Sequence, residues 1–247
     1  MAISTATPVE GGGSGATVYD TNITPPGADA KVCALVIYDT DTTVTPRLDP
    51  DGADTAPTGT IQAATWDGTD TGLGYGGWYW DGVGSGAQEI EITLGATGAA
   101  WVFLFAMTGA ATGDPEDLAG IANTDPSSTA ATIALPASLT ITDNSYQIAV
   151  TWSGSGITVS SVTSGMTLVA LTATNKRVAH STPASQSAGS QASTFTWSTA
   201  FGGKGVLATS IAEAAGASGS VIAGHLAGPG GLAGPGGLAG NHGGIAG

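Results

Sequence analysis

In the run AQEIEITL, residues 87–94, apolar and polar side chains change place at every step. Ile90, Ile92 and Leu94 fall on one face and Glu89, Glu91 and Thr93 on the other. A period of two belongs to a strand with one dry face and one wet face. SYQIAVTW repeats it, with Tyr146, Ile148, Val150 and Trp152 directed inward and Ser145, Gln147, Ala149 and Thr151 outward. STFTWS does the same, setting Phe195 and Trp197 against Thr194 and Thr196. KVCALVIYD is apolar at both parities, which suits a strand buried on its two faces. TIQAATW, GGWYWDG, AAWVFLFAMTG, TAATIALP, MTLVALTA, RVAHST and KGVLATSIAEA bring the total to about a dozen short runs parted by Gly, Pro, Asn and Asp turns. No run has helical periodicity, although IAEAAGAS could form one brief turn. The pattern predicts an all-β chain, an antiparallel β-sandwich or jelly-roll-like domain with AAWVFLFAMTG among its central strands.

Composition narrows the class. Apolar residues make up 41% of 247, enough for a core, while charged residues supply only 10%. Ser, Thr, Ala and Gly must therefore cover the surface, as they do on many extracellular and virion β-proteins. The net charge of −14 repels phosphate backbones and anionic headgroups, so neither nucleic acid nor a membrane surface is the expected partner. The one cysteine, Cys33, has no partner in the chain and reads as a small buried hydrophobe. No segment is a membrane span, and the N-terminal residues show neither the basic nor the apolar region of a secretory signal. Synthesis in a host cytoplasm with release by lysis is the expectation.

Three segments are expected. Residues 1–15 end in GlyGlyGlySerGly and read as a flexible arm. Residues 16–213 hold the sandwich, opening with a strand at Val18 and Tyr19 that the Pro25-Pro26-Gly27 turn closes. From 214 the chain becomes Gly- and Ala-rich, and glycine recurs every third residue from 228 to 243 in GPGGLAGPGGLAGNHGGIAG. Such spacing suits extended polyproline-II strands that pack against neighbours, as in collagen. Two prolines are too few for a free-standing triple helix. The tail therefore reads as an assembly strap in a homo-oligomer, a trimer being the natural number. Gly228, Pro229, Gly231, Leu232, Gly234, Pro235, Gly237, Leu238 and Gly240 are its expected contacts.

The succession KVCALVIYD, TIQAATWDG, GGWYWDGVGSG, AQEIEITL and AAWVFLFAMTG resembles a diffuse family of β-sandwich domains. These occur in virion proteins of tailed bacteriophages and in some bacterial surface proteins. The resemblance extends through SYQIAVTW and KGVLATSIAEA over about residues 17–213. It implies decoration, attachment or adhesion, and it carries no catalytic residue. The expected protein is thus a non-enzymatic virion subunit, a capsid decoration, cement or head-fibre protein whose partners are its own copies and the major capsid protein. The alternative is a tail-fibre module that binds a receptor or a host glycan.

Two constellations bear on that choice. Trp78, Tyr79 and Trp80 are consecutive, so on a strand Tyr79 faces opposite to both tryptophans, and one side could form a binding surface. Asp39, Asp41, Asp49, Asp51, Asp54, Asp67, Asp70 and Asp81 crowd one stretch, with Arg47 to offset them. Ca²⁺ needs such oxygens, but the glutamate that closes an EF-hand loop is missing after LDPDGAD. Like GDPEDLAG at 113–120, these acids read chiefly as solvated turns, with a Ca²⁺ site as the minor alternative, and no other cofactor is expected. His180, His225 and His242 stand far apart in no hydrolase motif, and Glu89 with Glu91 read as a solubilising pair. An enzyme is not the expectation.

Overall fold

The computed structural model describes residues 2–48, 54–68, 71–123, 130–135, 137–153, 156–163, 165–169 and 175–215. The alternating runs all become strand, and every strand pairing is antiparallel. The single helical piece among the described residues is a 3₁₀ turn at Pro183–Ser185. The first half of the chain contributes β1 (Ser4–Thr5), β2 (Val9–Ile23), β3 (Ala30–Tyr38), β4 (Val44–Leu48), β5 (Gly59–Asp67), β6 (Leu73–Val83) and β7 (Gln88–Thr108). The second contributes β8 (Asp117–Asn123), β9 (Thr132–Ala134), β10 (Leu139–Ile141), β11 (Tyr146–Ser153), β12 (Val159–Val162) and β13 (Met166–Leu168). It continues with β14 (Lys176–Ser181), β15 (Gly189–Gln191), β16 (Thr194–Trp197) and β17 (Lys204–Ile211).

Two long strands build the first sandwich by serving both of its sheets. The latter part of β7 lies between β3 and the start of β2, with Leu35 opposite Phe103 and Val9 opposite Leu104. Its early part lies between β4 and the end of β2, with Arg47 and Asp20 both opposite Glu91. The change of sheet falls at glycine-rich stretches in both strands, GGGSG in β2 and GATG in β7. The β2 pairing slips twice there, between Ser14 and Ala16 and between Ala16 and Val18. Bulges and bends of this kind let one strand turn a sandwich corner. Gly12 shows why side chains are excluded: its φ is +104°, and a methyl group would run into the Ala100 carbonyl oxygen.

With β1 and the start of β2 counted as one strand, the end of β2 as the next and β7 as two, the first sandwich has eight strands in the order 1-8-3-6-5 in one sheet and 2-7-4 in the other. That is a jelly-roll connection. The second sandwich repeats it. β8, β17, β11, β14 and β13 form the five-stranded sheet, and β9, β16 and β12 the three-stranded one. Here β8 and β9, and β16 and β17, are separate strands. An added pair, β10 with β15, flanks the second sandwich.

The two five-stranded sheets pack on each other, giving three apolar layers. Tyr19, Val32, Val36, Trp78, Trp80, Ile92 and Val102 fill the first sandwich. Ile133, Leu139, Ala149, Phe195, Trp197 and Val206 fill the second. Between the sandwiches, Cys33, Leu35, Ile37, Phe103 and Phe105 meet Tyr146, Ile148, Val150, Trp152 and Leu207. This explains KVCALVIYD: β3 is buried along its whole length because each face belongs to a different core.

Several expectations need correction. Residues 1–15 are not a flexible arm, since β1 pairs with the end of β7 and the GlyGlyGlySerGly run lies within β2. Gly12 allows close approach of the Ala100 backbone and Gly11 makes room for the Thr21 side chain. The sandwich expected over 16–213 is two sandwiches, beginning at Ser4. SYQIAVTW is not half exposed: all of β11 is buried, because its second face lines the interior of its own sandwich. Thr151 and the amide nitrogen of Gln147 find partners there, whereas Gln147 Oε1 is buried without one among the described residues. Gln147 Nε2 donates to Gln186 Oε1 at 2.7 Å and Thr151 Oγ1 to the Gly205 carbonyl at 2.9 Å. Residues 211–215 form no helical turn, and Glu213 bridges to Ala110. The compact unit closes at Ala215, and the expected tail contacts from Gly228 to Gly240 lie outside the described residues.

Candidate functional site

Trp78, Tyr79 and Trp80 alternate as their spacing requires, but they do not form a binding surface. β6 is an inner strand, flanked by β3 and β5 and covered on both faces. Trp78 and Trp80 enter the core of the first sandwich and Tyr79 the layer between sandwiches, with exposures of 7%, 1% and 3%. Their polar atoms are spent internally. Trp80 Nε1 donates to the Thr55 carbonyl at 3.2 Å and Tyr79 Oη to Asp114 at 2.8 Å. Burial, reinforced by the Asp114 bond, pushes the Tyr79 phenol up to about 12.

Trp78, 7% exposed, lies at the floor of a groove of about 390 Å³. One wall is β4, from Val44 to Arg47; the other is the segment from Asp54 to Thr60 that leads into β5. Both walls are held from behind. Leu48 and Thr55 exchange two backbone hydrogen bonds, and Thr58 N–H donates to the Tyr79 carbonyl at 2.9 Å. Pro46, Pro57 and Val44 make the lining apolar, Thr45 and Thr60 bring hydroxyls to the rim, and Arg47 forms an ion pair with Asp54 at one end. The proline pair and the single tryptophan are too scattered in sequence to be recognised as one lining. Only the Leu48–Thr55 bridge, which sets the segment before β5 beside β4, assembles them.

Several of the acidic residues tie loops and strands in place. Asp39 accepts from Ala99 N–H, Asp67 from the Thr71 hydroxyl, and Asp81 from Gly113 N–H at 2.7 Å. Glu116 accepts from Thr142 N–H and the Ser145 hydroxyl, and Glu213 from Asn144 Nδ2, which holds the Glu213 carboxyl below its usual range. Among the described residues no three of His, Cys, Asp and Glu come together in a way that could hold a metal ion. Asp49, Asp51 and Asp70 lie outside the described residues.

The cations are more unusual. All three lysines are buried, Lys31 and Lys176 at 3% and Lys204 at 0% exposure. Lys31 pairs with Asp81 at 2.6 Å, donates to the Gly113 carbonyl at 2.7 Å and lies over the Tyr79 ring. It thereby pins the connection between the sandwiches. Lys176, on β14, places Nζ 3.6 Å from the ring centre of Trp101 on β7. Burial brings its ammonium down to about 8, against the pull of Asp39 and Glu10. Lys204 donates to the Ala130 carbonyl at 2.8 Å. Lys176, between Asn175 and Arg177, and Lys204, between Gly203 and Gly205, carry no sequence mark of burial, whereas Lys31 opens the doubly apolar run KVCALVIYD.

His180 lies against the Tyr146 ring at 5.8 Å, with Nδ1 3.0 Å from the Ser181 carbonyl oxygen. It borders a second groove of about 370 Å³ between residues 5–8 and Leu168 and Val169. His225 and His242 lie outside the described residues. Glu89 and Glu91 sit half-buried on the outer face of β7, as the alternation required. Comparison with protein-family models, with curated proteins and with solved structures finds no match for this chain.

Proposed function

We propose that the chain is a non-enzymatic virion structural protein, a decoration, cement or head-fibre subunit of a tailed bacteriophage. The observation that carries this reading is the stacked pair of jelly rolls. Every described lysine, and the acidic ties from Asp39 to Glu213, are used to lock strands and connections in place. Such a molecule is a stiff block with an acidic, hydroxyl-rich exterior, which suits a subunit that projects from a shell and keeps particles apart by charge. The resemblance of residues 17–213 to virion sandwich domains supports the same reading. In this reading the partners are copies of the same chain, assembled as a trimer through the GPGGLA repeat, and the major capsid protein, with no cofactor required. The site of action is the virion surface.

Purified particles test it. Mass spectrometry should find the chain in stoichiometric amounts, and particles made without it should lose a surface density by electron cryomicroscopy. The full chain should sediment as an oligomer, and removal of residues 224–247 should reduce it to a monomer. Particles that keep their full surface density without the chain overturn the proposal.

A further inference from the structure

The groove between β4 and the Asp54–Thr60 segment has a chemistry that a shell subunit does not need. Buried Trp78 and Pro46 lie at its floor, Ala56 and Pro57 form an apolar side, and the Arg47 and Asp54 side chains stand in contact at one end. A guanidinium beside a carboxylate offers a donor and an acceptor in one plane, the pattern that two neighbouring hydroxyls of a sugar ring satisfy at once. Thr45 and Thr60 add hydroxyls at the rim, and Ala56 and Pro57 give the open side of the groove an apolar surface for the C–H face of a pyranose. We propose that this groove binds a neutral saccharide.

Charge selects the neutral class. Arg47 and Asp54 cancel one another inside a chain of net charge −14, so an anionic sugar gains no attraction at the groove and meets repulsion on approach. The walls are preformed, because the hydrogen bonds from Leu48, Thr55, Thr58 and Trp80 hold them without a ligand. Little ordering cost then falls on binding. Arg47 is also one of only two cations that the fold leaves outside its interior, the other being Arg177. The site stands apart from the shell role: a decoration subunit could lack it, and a saccharide-binding module could carry it off the virion.

The experiment uses the full chain and saturation-transfer NMR with methyl glycosides of neutral hexoses and N-acetylhexosamines, followed by an array of neutral oligosaccharides. Arg47→Ala, and Ala56→Trp to fill the groove, should each weaken binding by about tenfold or more. Both positions are solvent-facing, and unchanged melting temperatures certify the fold. Glu89→Gln, outside the groove, should bind as the parent does. Failure of every neutral saccharide overturns the assignment. So does binding that survives both groove substitutions, preference for a uronic or sialylated oligosaccharide, or displacement of the sugar signal by a proline-rich peptide that occupies the groove instead.

Discussion

At the scale of single residues, the buried lysines are where this protein departs furthest from ordinary economy. An ammonium taken out of water is costly unless hydrogen bonds and an opposite charge replace the lost hydration. Lys31 has a carboxylate, a carbonyl and an aromatic face. Lys176 has the Trp101 ring and only the more distant pull of Asp39 and Glu10, and its ammonium pKa falls from 10.5 to about 8. In the folded state it therefore gives up its proton more readily than in the unfolded chain. The penalty is complete below about pH 8 and disappears as pH rises toward 10.5, where the unfolded lysine also becomes neutral. Lys176→Met should therefore stabilise the protein by about 1 to 3 kcal/mol at neutral pH. The difference from the parent should shrink between pH 8 and 10.5, as urea titrations at several pH values can measure. A constant difference across that range would show that the ammonium is not the cause. In the parent, Cys33 and Tyr38, both pushed up to about 12 by burial, act the other way and erode stability once their unfolded counterparts ionise above about pH 9 to 10.

At the scale of elements, β2 and β7 decide whether one sandwich closes. Each must leave one sheet and enter the other without losing its pairing, and each does so where glycine removes the side chain that would block the turn. A run such as GGGSG is ambiguous in sequence, because the same lack of Cβ atoms that frees a linker also permits close backbone approach. The structure resolves the ambiguity through Ala100, whose carbonyl occupies the space that a side chain at position 12 would need. Gly12→Ala should consequently destabilise by about 2 kcal/mol or more, combining a left-handed backbone with a steric clash. A flexible linker would tolerate the change within about 0.5 kcal/mol, as thermal unfolding would reveal. The half-exposed strands were legible for a related reason. AQEIEITL and STFTWS keep a strict alternation because their outer faces meet water. SYQIAVTW keeps the same alternation for a different reason, since Gln147 and Thr151 point into a protein interior where the Gln147 amide nitrogen and the Thr151 hydroxyl each donate a hydrogen bond.

At the scale of the whole molecule, the layer between the sandwiches makes one folding unit of two repeated topologies. Cys33, Leu35, Phe103 and Phe105 on one side, and Ile148, Val150, Trp152 and Leu207 on the other, are buried only because the partner sheet is present. Residues 1–113 expressed alone would leave that face of the first sandwich open, a patch of the kind that drives association. This half-chain should bind a hydrophobic dye and self-associate at micromolar concentration, while residues 1–215 should unfold in one cooperative transition. A soluble, monomeric half-chain that binds no dye would show that the sandwiches are independent domains.

The period-two pattern determined by itself that the chain is all-β, and it located the principal strands, because side-chain alternation is a local property that each strand carries in its own residues. It also marked β3 as a strand with no wet face. Which cores those faces enter was decided only by the tertiary structure, since a strand's sequence records how much water each side chain meets and not which neighbour excludes that water. The same reason governs the jelly-roll order, the corner in β2, the burial of the three lysines and the loss of Trp78, Tyr79 and Trp80 to the interior. The groove beside Trp78 is the clearest case. Its residues come from β4, the segment before β5, and β6, and only the antiparallel return of the chain brings Arg47, Asp54 and the indole to one place.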